Sequence, residues 1–350
     1  MDDTRAHREW ARRPADERFP TLEALRADAE ADKHASREIE VDGASLSVQS
    51  LGDAIWIRSG DKGAPLTDWS FGQACRLGGA PAGYLQSLTT GTAVAALNES
   101  LSETRASRDA LKLLVRNGHV AAMNGPRYGR VYDADVLRML DGLQGFAPPP
   151  AYERNGSTNA GLYRGQRDMF VFMVNEESRI EDGSAEGLGR GFFLWNSEVG
   201  ARSFGIATFL YRHICGNHIV WGMTSLVEKR LKHIGEVSHR ARAEVALALS
   251  AWTNDGVSDL EAQIQIARVK VLGKDKEEVV RSVVKATGAT QSVVSAAWEG
   301  ASQWAEVDGA PDTVWGMVNA ITRYSQASTW TSDRVETDRL AGQLLYATLS

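Results

Sequence analysis

The run Met169-Phe170-Val171-Phe172-Met173-Val174, entered through Asp168, places the tightest limit on how this chain folds. Both alternating sets of positions are apolar, so an extended conformation buries side chains on both faces. The run is aromatic and β-branched and too short for a typical helix, which predicts a strand over 168–174. Such a strand needs neighbours. Phe192-Phe193-Leu194-Trp195 supplies one and Ser203–Ile214 another. The latter puts Phe204, Ile206, Thr208, Leu210 and Arg212 on one side and Ala207, Phe209 and Tyr211 on the other, although a buried helix gives the same run. Phe170, Phe172, Val174, Phe209 and Ile214 are the expected core.

Around this centre the pattern divides the chain. Residues 1–35 mix basic and acidic groups with few large apolar side chains and read as a solvated arm with a short helix near Thr21–Ala31. Residues 36–150 read as an N-terminal α/β part. Ile39, Val41, Leu46 and Val48 alternate around Asp42-Gly43, a hairpin signal. Helical patterns follow over Asp68–Leu77, Ala80–Thr89 and Ala93–Val115, then a strand at Val120–Met123, a loop at Asn124–Gly129 and a helix at Asp133–Leu143. Pro148-Pro149-Pro150 marks a boundary. Residues 151–252 hold the core sheet, a polar loop at Glu176–Glu186 and one long basic helix over Leu226–Trp252. Residues 253–350 read as a helical C-terminal part, with helices at Asp259–Leu272, Lys274–Thr287, Gln291–Trp304, Thr313–Tyr324 and Asp333–Leu349. The expected class is α+β: a mostly antiparallel central sheet packed against helices, with a helical C-terminal half.

A net charge of −6 argues against coating duplex DNA by overall charge, while leaving room for a local basic groove. Two cysteines, a charged N-terminus without an apolar run, and no stretch of about twenty apolar residues lead to the expectation of a cytoplasmic protein without a membrane segment. The ten tryptophans serve core packing or stacking on bases.

Four constellations bear on function. Asn196-Ser197-Glu198-Val199-Gly200-Ala201-Arg202 sits between two apolar runs and reads as a hydrogen-bonded corner in which Gly200 permits the turn, or as a site built on Glu198 and Arg202. Tyr211-Arg212-His213-Ile214-Cys215-Gly216-Asn217-His218 offers ligand types for zinc but no standard spacing; the plainer reading is a buried cysteine before a Gly-Asn turn. Residues 228–242 carry five Lys/Arg against two Glu, a local excess suited to phosphates or to a solvated face. Glu277–Trp298 has the lengths of a helix-turn-helix, but its second helix, with Val293, Val294, Ala296 and Ala297, offers little to read bases and fits an ordinary helical hairpin. The chain carries no phosphate-binding Gly-x-x-x-x-Gly-Lys loop and no nucleophile elbow.

Several of these stretches together resemble the phage/plasmid-like protein family, a domain-of-unknown-function family. They are Gly161-Leu162-Tyr163, Arg167-Asp168-Met169-Phe170-Val171-Phe172, Arg190-Gly191-Phe192-Phe193, Asn196-Ser197-Glu198-Val199-Gly200, Phe209-Leu210-Tyr211-Arg212, Cys215-Gly216-Asn217, Lys232-His233-Ile234-Gly235 and the segment Trp315–Tyr324. The resemblance runs from about Asp68. It implies a role in mobile elements and transfers no catalytic residue. The order of strands then helix is loosely similar to that of single-strand annealing proteins, a fold-level analogy. The leading expectation is a non-enzymatic protein that binds single-stranded DNA in recombination or replication, with no cofactor or metal and with homo-oligomers as partners. Arg212, Lys229, Arg230, Lys232, Arg240 and Arg242 would hold phosphates; Tyr211 and Trp221 would stack on bases. Asn196, Ser197, Glu198, Gly200, Arg202, Cys215 and Asn217 form the structural motif. The alternatives are a nucleic-acid-processing enzyme using Glu198 with His213 or His233, and an interaction protein countering a host factor.

Overall fold

The computed structural model describes residues 13–52, 54–104, 109–149, 152–154, 157–181, 187–211, 213–214, 220–221, 224–253, 255–327, 340–345 and 347. In chain order the first half contains α1 (Leu22–His34), β1 (Ser36–Asp42), β2 (Leu46–Leu51), β3 (Ala54–Ser59), β4 (Lys62–Pro65), α2 (Asp68–Gly78), α3 (Ala82–Gln86), α4 (Thr90–Glu103), β5 (Ala110–Arg116), β6 (His119–Asn124) and α5 (Asp133–Arg138). The second half contains β7 (Tyr152–Arg154), β8 (Ser157–Asn159), β9 (Leu162–Arg164), β10 (Met169–Ile180), β11 (Leu188–Asn196), β12 (Phe204–Tyr211), β13 (His213–Ile214), β14 (Val220–Trp221) and β15 (Thr224–Leu231). It closes with α6 (Val237–Thr253), α7 (Asp255–Val269), α8 (Lys276–Thr287), α9 (Gln291–Ala301), α10 (Ala305–Asp308) and α11 (Val314–Ala327).

The apolar run is the second strand of a five-stranded antiparallel sheet ordered β15-β12-β11-β10-β9. Register pairs Phe172 with Phe193 and Phe193 with Ala207, so residues of like character share a face. One face, with Met169, Val171, Met173, Phe192, Leu194, Phe204, Ile206 and Leu210, packs into the main core with residues of the C-terminal helices. The other gathers Tyr163, Phe170, Phe172, Val174, Phe193, Trp195, Ala207 and Phe209 into an aromatic layer. Gly191 and Gly205 let the rings of Phe209 and Trp195 lie flat on the backbone, where any Cβ would collide with them. The α+β class and the helical C-terminal half stand as read. Phe170, Phe172, Val174 and Phe209 are buried; the side chain of Ile214 lies outside the described residues.

Strands β1-β5-β6 and β2-β3-β4 form two smaller antiparallel sheets around a second core of Val41, Ile57, Phe71, Leu97 and Leu113. Several local expectations are corrected here. Strands β1 and β2 do not form a hairpin: the Asp42 side chain accepts from Ala44 N–H (3.0 Å), a single 3-10 turn redirects the chain, and β1 pairs with β5 while β2 pairs with β3. The expected helix over 93–115 is helix to Glu103 and strand from Ala110, because Leu111, Leu113 and Val115 are needed in the second core. Strand β10 runs on to Ile180 instead of entering a loop at Glu176. Residues 13–34 are not a solvated arm: Leu25 and Ala29 are fully buried, and Phe19 N–H donates to Leu162 O (3.0 Å) at the sheet edge.

The long helix expected over 226–252 is two elements. Residues 224–231 are the edge strand β15, paired with β12, and only Val237–Thr253 is helical, after a turn in which Gly235 has φ +61°. Pairing to an open sheet edge satisfies a row of backbone groups and overrides a weak helical pattern. Residues 277–298 form the plain helical hairpin α8–α9, turned at Gly288 in the left-handed conformation.

Candidate functional site

The corner between β11 and β12 joins the two cores. Asn196 and Ser197 are fully buried, Glu198 nearly so, and each is bonded. Asn196 Nδ2 donates to Val131 O (2.8 Å) and to Asp133 Oδ1 (2.7 Å). Ser197 Oγ donates to Arg167 O (2.6 Å) and accepts from Ala201 N–H (2.8 Å). Glu198 Oε1 accepts from Asp133 N–H (2.7 Å) and Oε2 accepts from Arg116. The carbonyl of Val199 accepts from both Trp69 Nε1 (3.1 Å) and Gln73 Nε2 (3.0 Å) of α2. Gly200 turns with φ +83°. Arg202 does not pair with Glu198 as a self-contained corner would require; it pairs with Asp168, which also holds Arg13. The segment is therefore a bonded corner whose partners come from other elements.

Beside it lies a charged cluster that the sequence reading missed. Arg164 donates to Asp133 (3.0 Å), Asp28 (2.5 Å) and Asp32 (2.8 Å), and Arg116 donates to Asp32 (3.1 Å) and Glu198. Burial pushes the Asp133 carboxyl up, to about 7, and the neighbouring Glu198 carboxylate adds to the push. Burial disfavours the charged form of Arg164, but Asp133, Glu198 and Asp32 outweigh it and raise its pKa. Above the cluster opens a cleft of about 960 Å³. Arg13, Arg116, Arg164, Arg167 and Arg202 line it together with Asp16, Glu17, Asp28, Asp32 and Asp168, so it neutralises itself.

The basic segment is placed differently. Loop 125–130 and loop 232–235 are stitched together: Gly129 N–H donates to His233 O (3.2 Å) and Gly235 N–H to Arg127 O (3.0 Å). His233 stacks on Tyr128 with centroids 5.2 Å apart. Its Nδ1 lies 3.1 Å from Gly129 O, and its buried Nε2 has no hydrogen-bond partner among the described residues. Burial lowers the His233 pKa to about 4. Tyr128 Oη donates to Ser197 O (3.1 Å), and Arg130 donates to Glu198 O, which anchors the loop to the corner. On the other side Ser238 Oγ donates to Arg130 O (3.0 Å) and Arg240 to Ile234 O (2.7 Å). Arg242 stands one turn beyond Ser238 on the same side of α6.

Lys229, Arg230, Lys232, Arg240 and Arg242 are all exposed. They do not share a helix. Lys229 pairs with Ile206 and Arg230 with Gly205, so these two point to opposite faces of β15. Arg127, exposed in the stitched loop, joins Lys232 and Arg240; the basic string Arg127-Tyr128-Gly129-Arg130 was the signal for it. Arg212, Cys215, Asn217 and His218 lie outside the described residues, as do the side chains of Tyr211, His213 and Trp221. Among the described residues, no three or more His, Cys, Asp or Glu are grouped to hold a metal ion, and no helix is long and apolar enough to cross a membrane.

The profile of a family described as a domain of unknown function (DUF932) matches residues 121–340, and the chain belongs to that family. No curated protein and no solved structure matches the chain.

Proposed function

We propose that this member of the family binds single-stranded nucleic acid without enzymatic turnover, in the recombination or replication of a mobile element such as a phage or plasmid. The observation that carries the reading is the stitched loop pair. It brings exposed Arg127, Lys232 and Arg240 to one seam, with exposed Lys229 on β15 and Arg242 farther along α6, in a chain whose overall charge is −6. A local cation row attracts a polyanion through counterion release whatever the net charge of the whole. It neutralises backbone phosphates and leaves base edges free to pair. Against an enzymatic role for Glu198, both of its oxygens are engaged in the corner and it does not line the 960 Å³ cleft.

Fluorescence anisotropy with a labelled oligonucleotide across a salt series tests the reading. Each phosphate contact contributes about 0.7 to the log–log salt slope for single strands. Replacing Lys232, Arg240 and Arg242 with Ala together lowers the slope by up to about 2 and weakens all sequences alike. An unchanged slope removes this rim from the interface. An absence of binding at low salt rejects nucleic acid as the ligand.

A further inference from the structure

Next to the rim is a second pocket, of about 390 Å³, lined by Glu38, Lys112, Pro126, Arg127, Tyr128, Gly129, Arg130, Tyr132 and Gly235. It lies at the small end of the range of about 300–1,000 Å³ for ligand sites, and suits one nucleotide better than a length of strand. Its charge is uneven. Arg127 is exposed, and no hydrogen bond or ion pair of its side chain is seen among the described residues. Among the described residues, Lys112 Nζ makes long contacts, 3.4 Å to Tyr128 O and 3.6 Å to Glu38. Arg130 is fixed by two bonds to Glu38 (3.1 and 3.0 Å) and by Glu198 O. Three cations thus face one carboxylate that is already partnered, whereas the 960 Å³ cleft matches five arginines with five carboxylates. The small pocket is the one with positive charge to spare.

An internal phosphodiester carries one negative charge and runs along a surface. A terminal phosphomonoester carries about −1.5 to −2 at neutral pH, offers three acceptor oxygens, and ends the chain, so one small group of cations can hold it. We propose that this pocket seats the terminal phosphorylated nucleotide of the bound strand. The phosphate takes Lys112 and Arg127, while Arg130 stays paired with Glu38. The proposal rests on the strand-binding reading above and adds end recognition to it.

The test uses the full chain and one short oligonucleotide prepared with a 5′-phosphate, with a 3′-phosphate and with neither. One phosphorylated form is expected to bind about tenfold tighter than the unphosphorylated one, within the range of charge-assisted hydrogen bonds. That preference shrinks as pH falls through about 6, where the monoester loses its second charge. Lys112→Met and, independently, Arg127→Gln abolish the preference, whereas the Lys232/Arg240/Arg242 triple variant keeps it and weakens every form. In parallel, a nucleoside monophosphate is titrated alone while the ring signals of Tyr128 and Tyr132 are followed by NMR. Equal binding of all three oligonucleotides with no shift by the monophosphate overturns the pocket and leaves the rim standing. Ring shifts by the monophosphate without binding of any strand leave a mononucleotide site and overturn both the rim and the seating of a strand end.

Discussion

His233 sits where acid should act on this fold. Its side chain is buried against Tyr128, its Nδ1 faces Gly129 O, and its Nε2 meets no acceptor. A second proton on Nε2 would place a cation in that seam beside Arg130, so the folded state keeps the ring neutral down to about pH 4, against 6.5 for the free side chain. The unfolded chain therefore binds more protons between those values. Stability from this group is fully present above about 6.5 and is lost as pH falls toward 4, to a total of about 3 kcal/mol at 1.4 kcal/mol per unit. Asp133 works the other way. Its carboxyl is raised to about 7, so the folded state holds the extra proton and gains as pH falls from 7 toward the ordinary carboxylate range. The wild-type curve sums both slopes, and the informative quantity is a difference. In His233→Phe the ring still stacks on Tyr128, and the Asp133 contribution is untouched. Urea melts of both proteins at intervals from pH 7 to about 4.5 should show the wild type losing stability relative to the variant by about 2–3 kcal/mol. Parallel curves, offset by a constant, would refute the assignment of a neutral buried imidazole.

Phe172→Ala removes a fully buried ring that stacks on Phe193 (centroids 5.5 Å apart) and meets Tyr163 edge-on, and should cost about 3–5 kcal/mol in denaturant melts; a loss under about 1 kcal/mol would place β10 outside the cooperative core. Glu198→Ala leaves Asp133 N–H and part of Arg116 without an acceptor and should cost about 3–5 kcal/mol, with Glu198→Gln milder because its carbonyl still accepts from Asp133. Gly129→Ala drives a Cβ into the carbonyl oxygen of Gly235 and should part the two loops; the reading is faster amide exchange at Gly129 and Gly235 and weaker oligonucleotide binding, with exchange in β10 and β11 unchanged.

The contrast between β10 and β15 explains what the amino-acid sequence revealed and what it hid. Strand β10 is apolar at every position of its first half, and only an extended segment covered on both sides accounts for that. Strand β15 is an edge strand whose later residues include Glu228, Lys229 and Arg230. Charges, lysine above all, are what keep an exposed edge from pairing with other chains, and the same charges imitate the solvated face of a helix. Residues 110–116 failed for a related reason: Leu111, Leu113, Leu114 and Val115 serve a strand or the end of a long helix equally well until β1 is seen to pair with them. Asn196-Ser197-Glu198 announced a corner because small polar residues between two apolar runs must find bonds. Their partners did not announce themselves, since Asp133 and Arg116 lie 65 and 82 positions from Glu198. Asp133 opens the helix expected over 133–143, yet its side chain turns inward to Arg164 and Asn196.

The corner also links a buried polar motif to the proposed binding surface. Ser197 and Glu198 present their carbonyls to Tyr128 Oη and to Arg130, and Tyr128 in turn carries the stacked imidazole of His233. Arg130 holds Glu38 at the mouth of the small pocket, while its own carbonyl is capped by Ser238 at the start of α6. The sheet corner, loop 125–130, loop 232–235 and the first turn of α6 therefore form one bonded chain. At its outer end stand Arg127, Lys232 and Arg240, all three exposed, with Arg240 bonded to Ile234 O. Backbone bonds on both sides of Gly129 and Gly235 fix where those side chains begin, which lowers the entropy lost when they close on a phosphate. If the proposed strand binding holds, the polar residues of the corner help to position the cationic surface, and substitutions there should lower strand affinity through the loops even though none of them touches the strand.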